Sequence, residues 1–192
     1  MNIILASGSP RRHEILRDAG IDHVVRPAHA DETLPEGIAP AEAVAMLARR
    51  KAEAAVAENA PLDGETVIIA ADTLVACGGE IYGKPSDRDD AFRMISSMTG
   101  GCHSVLTGVC VTDGKEYLTE VEESRVFMRD AEDFEIYSYI DNFEPYDKAG
   151  AYGIQEAAGL FVCRIEGDYP NIVGLPLCRT GLMLKHFGVR LF

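Results

Sequence analysis

The stretch that most constrains this chain is TVIIAADTLV, at positions 66–75, where an apolar, β-branched run ends in an aspartate and a threonine. Consecutive apolar residues predict a strand covered on both faces, because successive side chains point to opposite faces of a sheet. Ligands of open α/β sheets gather beyond the carboxyl ends of such strands. Asp72 is expected at that end, where its carboxylate must be solvated, paired or bound to a metal. Strand-end position alone is equally compatible with a plain capping role.

Length and composition favour one soluble domain spanning 1–192, since 47% hydrophobic and 26% charged residues suffice for an ordinary core. No apolar run approaches the roughly 18 residues of a membrane span, and the basic residues near the amino terminus follow the apolar stretch. The five cysteines form no CxxC pair, which favours reduced thiols. We therefore expect a cytoplasmic protein without membrane association.

The net charge of −13 limits the partners that the protein can bind. It repels polyanions, and no basic run offsets it, so a nucleic-acid polymer is not an expected partner. A small anionic substrate requires that a few of the 18 Lys and Arg residues converge on one pocket.

Predicted strands and helices alternate along the chain, as is typical of α/β proteins. Strands are predicted at 2–6, 23–26, 66–75, 81–82, 102–113, 116–127, 160–165 and 169–173. Helices are predicted at 10–19, 41–59, 87–98, 131–141 and 175–187, with Ser9 and Ser86 as N-caps. Hairpin turns are predicted at 78–79, at 113–114 and at 166–168, the last joining the two final strands.

Three segments outside the Asp72 strand carry candidate binding groups. The loop SGSPRR at 7–12 feeds a helix amino terminus, which offers N–H groups and two arginines to an anion; a capped surface helix is the plainer interpretation. His103 is either a base or phosphate donor or, more often for a lone strand histidine, structural. The segment 144–155 mixes charges, aromatics and glycines without a period, as in a site or an exposed connection.

Six ordered motifs resemble the Maf family of nucleotide pyrophosphatases, in particular the branch that hydrolyses dTTP and UTP. They are ASGSPRR at 6–12, AADT at 70–73, GKP at 83–85, HSVLTGV at 103–109, EPYDKAGAYGIQ at 144–155 and GLPL at 174–177. The resemblance implies an α/β fold with a mixed twisted sheet flanked by helices and a cleft between two lobes. It also implies nucleoside triphosphate substrates, a divalent metal (Mg²⁺ or Mn²⁺) and often a homodimer.

The same resemblance assigns roles position by position. Asp72 matches the proton acceptor, and Glu32 with Asp72 would hold the metal. The positions expected around the phosphates and metal are Ser7, Arg12, Glu32, Lys51 and Lys84. The substrate-selecting positions are Arg11, Thr73 and Gln155, and His103 and Lys148 lie within the motifs as further substrate-binding residues. One departure is Gly101, where the family usually has a basic residue.

Three other functions are compatible with parts of the sequence. The related branch acting on 7-methyl-GTP lacks the DKAGAYGIQ pattern. A nucleotide-binding regulator of septum formation, the family's other reputed role, has no need of an acid beside phosphates. A phosphatase with an aspartyl nucleophile would have a second acid two positions after Asp72, where Leu74 stands.

Overall fold

The computed structural model describes residues 1–191, which form an open, mixed seven-stranded sheet flanked by six α-helices. The strands are β1 (Asn2–Leu5), β2 (Val24–Val25), β3 (Thr66–Cys77), β4 (Glu80–Tyr82), β5 (Cys102–Thr112), β6 (Tyr117–Met128) and β7 (Val162–Glu166). The helices are α1 (Pro10–Asp18), α2 (Pro40–Asn59), α3 (Arg88–Met98), α4 (Asp133–Phe143), α5 (Tyr169–Val173) and α6 (Leu177–His186). This architecture confirms the predicted α/β class with a mixed sheet.

The strand order is β2-β1-β3-β5-β6-β7, with β4 paired to β3. β1 runs parallel to both β2 and β3, whereas β3–β4 and β6–β7 are antiparallel. None of the helices in the described part of the chain combines the length and hydrophobicity that crossing a bilayer requires.

The chain divides into two compact units. The first comprises residues 1–72, 107–122 and the segment from 174 to the end of the described chain; the second comprises residues 73–106 and 123–173. The single-domain prediction for 1–192 and the predicted cleft both stay predictions.

In the first unit, β3 is covered on both faces, as its sequence predicts. The expectation that the strand ends at Asp72 is wrong, because pairing of residues 75–77 with β4 extends β3 to Cys77. Ile68 and Ala70 pack with the alanine stripe of α2, whereas Val67, Ile69 and Ala71 pack with residues of α1 and α6. Because strand side chains alternate, Asp72 continues the row of Ile68 and Ala70 and therefore faces α2. Burial thus decides which helix supplies the partner of the carboxylate.

Helix α2 lies unusually close to the sheet at Gly108 of β5. A Cβ at this position would stand 2.2 Å from the Val44 carbonyl oxygen and 2.5 Å from its carbon. These backbone atoms cannot move aside as the end of a flexible side chain can. Gly108 therefore permits the approach that brings the buried face of α2, with Ala48, Ala52 and Ala55, against the strands.

In the second unit, α3 and α4 pack around one apolar core that includes Met94, Ile95, Ile136 and Ile140. The turns Pro145–Asp147, Ala149–Ala151 and Ala157–Leu160 are short 3-10 helices. The first two of these turns lie in the predicted irregular segment 144–155, which is therefore an ordered connection.

Most predicted elements are confirmed to within a few residues, but the last predicted hairpin is wrong. Tyr169–Val173 is a helix, and β7 pairs with β6 instead. Pro170 has no N–H for a strand ladder but is tolerated in the first turn of a helix. The buried side chain of Asn171 then donates to the Val105 carbonyl at 3.0 Å and to Ser124 Oγ at 2.9 Å.

The predicted helix caps were only partly right. Asp87, not Ser86, is the N-cap of α3, because its carboxylate accepts the Asp90 N–H at 2.8 Å. Ser9 stands at the N-cap of α1, but within the described chain its side chain makes no capping hydrogen bond.

Gly108→Ala is expected to lower the free energy of unfolding by at least ~2 kcal/mol, because the added methyl group overlaps backbone atoms of α2. Chemical denaturation measures the change. Gly101→Ala is the matched control, since its Cβ would meet only the Met98 carbonyl oxygen at 3.6 Å, and it should stay within about 0.5 kcal/mol of wild type. Equal stabilities of the two variants would contradict the close packing of α2.

Candidate active site

The centre of the candidate site in the first unit is an ammonium between two carboxylates. Lys51 Nζ lies 2.5 Å from Asp72 Oδ1 and 2.7 Å from Glu32 Oε1. The side chains of Lys51 and Asp72 are only 16% and 13% exposed, whereas that of Glu32 is 64% exposed. The cluster is therefore anchored in the fold at Asp72 and open to solvent at Glu32.

Helix α2 presents Lys51 to this position because of its spacing. Lys51 lies three residues after Ala48 and four before Ala55, both fully buried against the sheet. Residues three and four apart share one side of a helix. The lysine thus stands at the edge of the packed face and reaches Asp72 in the middle of β3.

Loop 31–33, which carries Glu32, is held by α2 as well. Arg50 Nη1 donates to the carbonyl oxygens of Asp31 at 3.2 Å and Thr33 at 2.7 Å. Asp31 Oδ1 accepts the Thr33 N–H at 2.9 Å and closes a local turn. Sequence reasoning missed Arg50, although its position beside Lys51 in ARRK was a usable signal.

Ser7, in the loop before α1, and Arg12, in the first turn of α1, also belong to the candidate site in the first unit. Arg12 Nη1 donates to Ser7 Oγ at 3.0 Å, and Arg12 Nε donates to the Gly174 carbonyl at 2.8 Å. Ser7 Oγ also accepts the Ser9 N–H at 3.2 Å. The GLPL motif points to residue 174 but assigns no role to its carbonyl.

Electrostatics join Arg12 to the two carboxylates. Burial lowers the pKa of the Arg12 guanidinium, as does the charge of Arg11, while Asp72 and Glu32 oppose this by raising it. Arginine stays protonated in proteins in any case. The first unit therefore holds two cationic and two anionic side chains in one electrostatically coupled group.

In the second unit, Lys148 is buried and ties its own loop together. Lys148 Nζ lies 2.7 Å from Asp147 Oδ1 and 3.4 Å from Glu156 Oε2. A Cβ at Gly153 would stand 2.9 Å from Lys148 Cε, so glycine leaves room for the lysine stem. Lys148 thereby links both ends of the segment that contains Gln155.

His103 lies in the core of the second unit rather than on a surface. It is 2% exposed, and its Nε2 is hydrogen-bonded to Tyr152 Oη at 2.7 Å. Within residues 1–191, its Nδ1 has no hydrogen-bond partner. Desolvation lowers the pKa of His103 to about 4, so the ring is neutral at pH 7. This environment is structural, and a role in substrate binding stays a prediction.

The structure brings five of the predicted positions together in the first unit: Ser7, Arg12, Glu32, Lys51 and Asp72. Arg11, partly buried, adjoins them through its charge on Arg12. In the second unit, Lys84 and Gln155 are exposed, and Thr73 is half-buried on β3. Their contact with a substrate stays a prediction.

Comparison with known proteins identifies a matching family model and several similar proteins. A family model described as "Maf-like protein" matches residues 2–187. The chain is 48% identical to "dTTP/UTP pyrophosphatase" of Chromobacterium violaceum, covering 98% of this chain and 96% of the relative. It is 44% identical to proteins of the same name from Caldicellulosiruptor bescii, covering 97% of this chain and 94% of the relative, and from Hahella chejuensis, covering 99% and 94%.

The buried His103 predicts a pH dependence of stability. The unfolded chain binds a proton near the ordinary value of 6.5, whereas the folded protein binds it only near pH 4. Stability should therefore be complete above pH 6.5 and decline as the pH falls toward 4, with a slope of up to about 1.4 kcal/mol per pH unit from this group. Denaturation of wild type and His103→Gln across this range measures it, and the wild-type advantage should shrink as the pH falls.

The control is His29→Gln, which removes an exposed imidazole and should leave the pH dependence of stability as in wild type. A constant difference between wild type and His103→Gln from pH 7 to pH 4 would contradict the desolvation of His103.

Proposed function

The chain belongs to the Maf family, and we propose that it is a nucleoside triphosphate pyrophosphatase that hydrolyses dTTP and UTP to the monophosphate and pyrophosphate. Relatives bearing that name cover nearly the whole chain at 44–48% identity. The structural observation that carries the proposal is the cluster of Asp72, Lys51 and Glu32 beside Arg12. It combines a carboxylate for proton transfer with cations for phosphates.

Cleavage between the α- and β-phosphates needs an activated water and compensation for developing negative charge. Asp72 is the general base in this proposal, because its carboxylate is fixed within β3 and belongs to a cluster that is open to solvent at Glu32. Lys51 and Arg12 are placed to neutralise phosphate oxygens. The N–H groups at the start of α1, which the Ser9 side chain does not cap in the described chain, suit a further phosphate oxygen.

The side chains present fit a divalent cation. Glu32 Oε1 and Asp72 Oδ1 contact the same ammonium, so two carboxylates converge on one cation position. Within residues 1–191 there is no group of three or more His, Cys, Asp or Glu side chains that would hold a metal. Mg²⁺ and Mn²⁺ suit a two-carboxylate site, since water and substrate phosphates complete the shell. When bound, such a cation supplies positive charge that stabilises the transferred phosphoryl group and the leaving pyrophosphate.

Base selection is proposed to rest on Arg11, Thr73 and Gln155. Uracil and thymine present an N3–H donor between two carbonyl acceptors, and a glutamine amide supplies both an acceptor and a donor. The Lys148 ion pairs on either side of Gln155 support the idea that this loop holds a defined conformation. Purines are expected to be excluded by size.

Substrates of this kind would place the enzyme in the cytoplasm, where nucleotide pools are maintained. All five cysteines are free thiols, in keeping with a reducing compartment. A homodimer is proposed from the family resemblance alone.

The test of the function is a panel of nucleoside triphosphates with Mg²⁺ or Mn²⁺, scored for both pyrophosphate and monophosphate. The proposal requires dTTP and UTP to be the best substrates. A preference for 7-methyl-GTP would assign the chain to the other branch, and nucleotide binding without turnover would favour a regulatory role.

Asp72→Asn should abolish most turnover while the protein stays folded, because the amide keeps the shape but cannot accept the proton. A loss of about 10²–10⁴-fold in kcat is the ordinary range for a general base, and a shared metal role would increase it. Asp18→Asn, an exposed carboxylate paired with Arg17, is the control and should retain full activity. A folded Asp72→Asn protein with near-normal kcat would exclude the proposed role.

Gln155→Ala should reduce the preference for UTP over CTP by roughly ten- to a hundredfold, the effect of about 1–3 kcal/mol for one unsatisfied polar group. The ratio of kcat/KM for the two nucleotides measures it. Asn142→Ala removes another exposed amide of the second unit, one bonded to its own helix, and should leave the ratio unchanged. Equal UTP/CTP ratios in wild type and Gln155→Ala would remove Gln155 from base recognition.

A further inference from the structure

Lys51 stands where a metal ion would have to stand. Its ammonium is within 2.7 Å of oxygens from both Glu32 and Asp72, so it fills the space in which a cation would contact both carboxylates. An ammonium and a divalent cation cannot both occupy the space between these two oxygens. We propose that Lys51 is an internal competitor of the metal, which binds tightly only after a triphosphate draws the lysine away. The identity of that triphosphate rests on the function proposed above.

The charge balance of the cluster supports this competition. Glu32 and Asp72 contribute two negative charges, and Lys51 with the electrostatically coupled Arg12 contributes two positive ones. A metal that approaches the nucleotide-free protein therefore meets a compensated site instead of two bare carboxylates. It must displace the ammonium from a contact whose two members, Lys51 and Asp72, are largely buried.

Side-chain geometry allows the exchange. The lysine stem has four rotatable carbons, and the Glu32 side chain is 64% exposed, so both can turn without a change in the sheet. Asp72 stays in place on β3. A triphosphate offers Lys51 a stronger negative partner and offers the metal additional oxygen ligands.

Metal and triphosphate binding are therefore coupled. If the triphosphate raises the affinity for the metal by some factor, the metal must raise the affinity for the triphosphate by the same factor. The nucleotide-free protein should hold Mg²⁺ or Mn²⁺ weakly, and its two carboxylates should be neutralised by protein side chains until substrate arrives.

The experiment measures Mn²⁺ binding to the nucleotide-free protein from the electron paramagnetic resonance signal of free Mn²⁺. Lys51→Met keeps most of the side-chain volume and removes the charge, so Mn²⁺ should bind at least tenfold more tightly than to wild type. Lys185→Met, on the last turn of α6, removes one positive charge elsewhere and should change the affinity less than twofold. Mn²⁺ binding to Lys51→Met that is no tighter than to wild type would overturn the proposal.

A second measurement tests the coupling with α,β-imido-UTP, which cannot be cleaved between those phosphates. After correction for Mn²⁺ bound by the analogue alone, its presence should raise the Mn²⁺ affinity of wild type at least tenfold. The gain should be much smaller in Lys51→Met. Thermal unfolding checks that the variant is folded, and Lys51→Gln replaces it if it is not. An unchanged wild-type Mn²⁺ affinity with the analogue, or a gain as large in the Lys51 variant as in wild type, overturns the proposal.

The two proposals can fail separately. Wild-type turnover of UTP together with unchanged Mn²⁺ binding by Lys51→Met would leave the function standing and exclude the competition. Tighter Mn²⁺ binding by Lys51→Met in a protein that hydrolyses no nucleotide would leave the competition standing and exclude the function.

Discussion

Asp72 is a carboxylate in the middle of β3, where the preceding residues of the strand are almost wholly buried. An unpaired charge in such a place would be strongly destabilising, and the first unit provides Lys51 from α2 as its counter-ion. The ion pair requires that α2 lie close to the sheet, which the absent side chain of Gly108 permits. Core packing and the candidate site therefore depend on the same helix position.

The cationic groups of the site are held by neutral as well as charged partners. Arg12 is fixed by Ser7 and by the Gly174 carbonyl, and Arg50 holds the loop that carries Glu32. Such contacts orient a guanidinium without cancelling its charge. An acidic protein can thereby keep a local group of cations able to receive phosphates, while its overall field repels polyanions.

In the second unit, buried polar contacts order an irregular segment of the chain. Lys148 is buried with carboxylates at both ends of the loop, and Tyr152 is bonded to a neutral histidine in the core. Buried polar groups that have partners specify one arrangement of a core. These contacts account for the three short 3-10 turns in and directly after segment 144–155, although its sequence has no periodicity.

The sequence alone determined the α/β class, the buried run 66–71 before Asp72 and the approximate positions of every helix except α5. The residues of the candidate site came from the resemblance to the Maf family. The strands and helices could be predicted because side-chain periodicity is a local signal, and the site residues could be predicted because they lie in short ordered motifs. Only the tertiary structure decided that His103 is buried and that Lys51 lies between Glu32 and Asp72. These depend on partners 19 and 21 residues away in the case of Lys51 and 49 residues away in the case of His103, and a contact at that separation leaves no periodic trace in the chain.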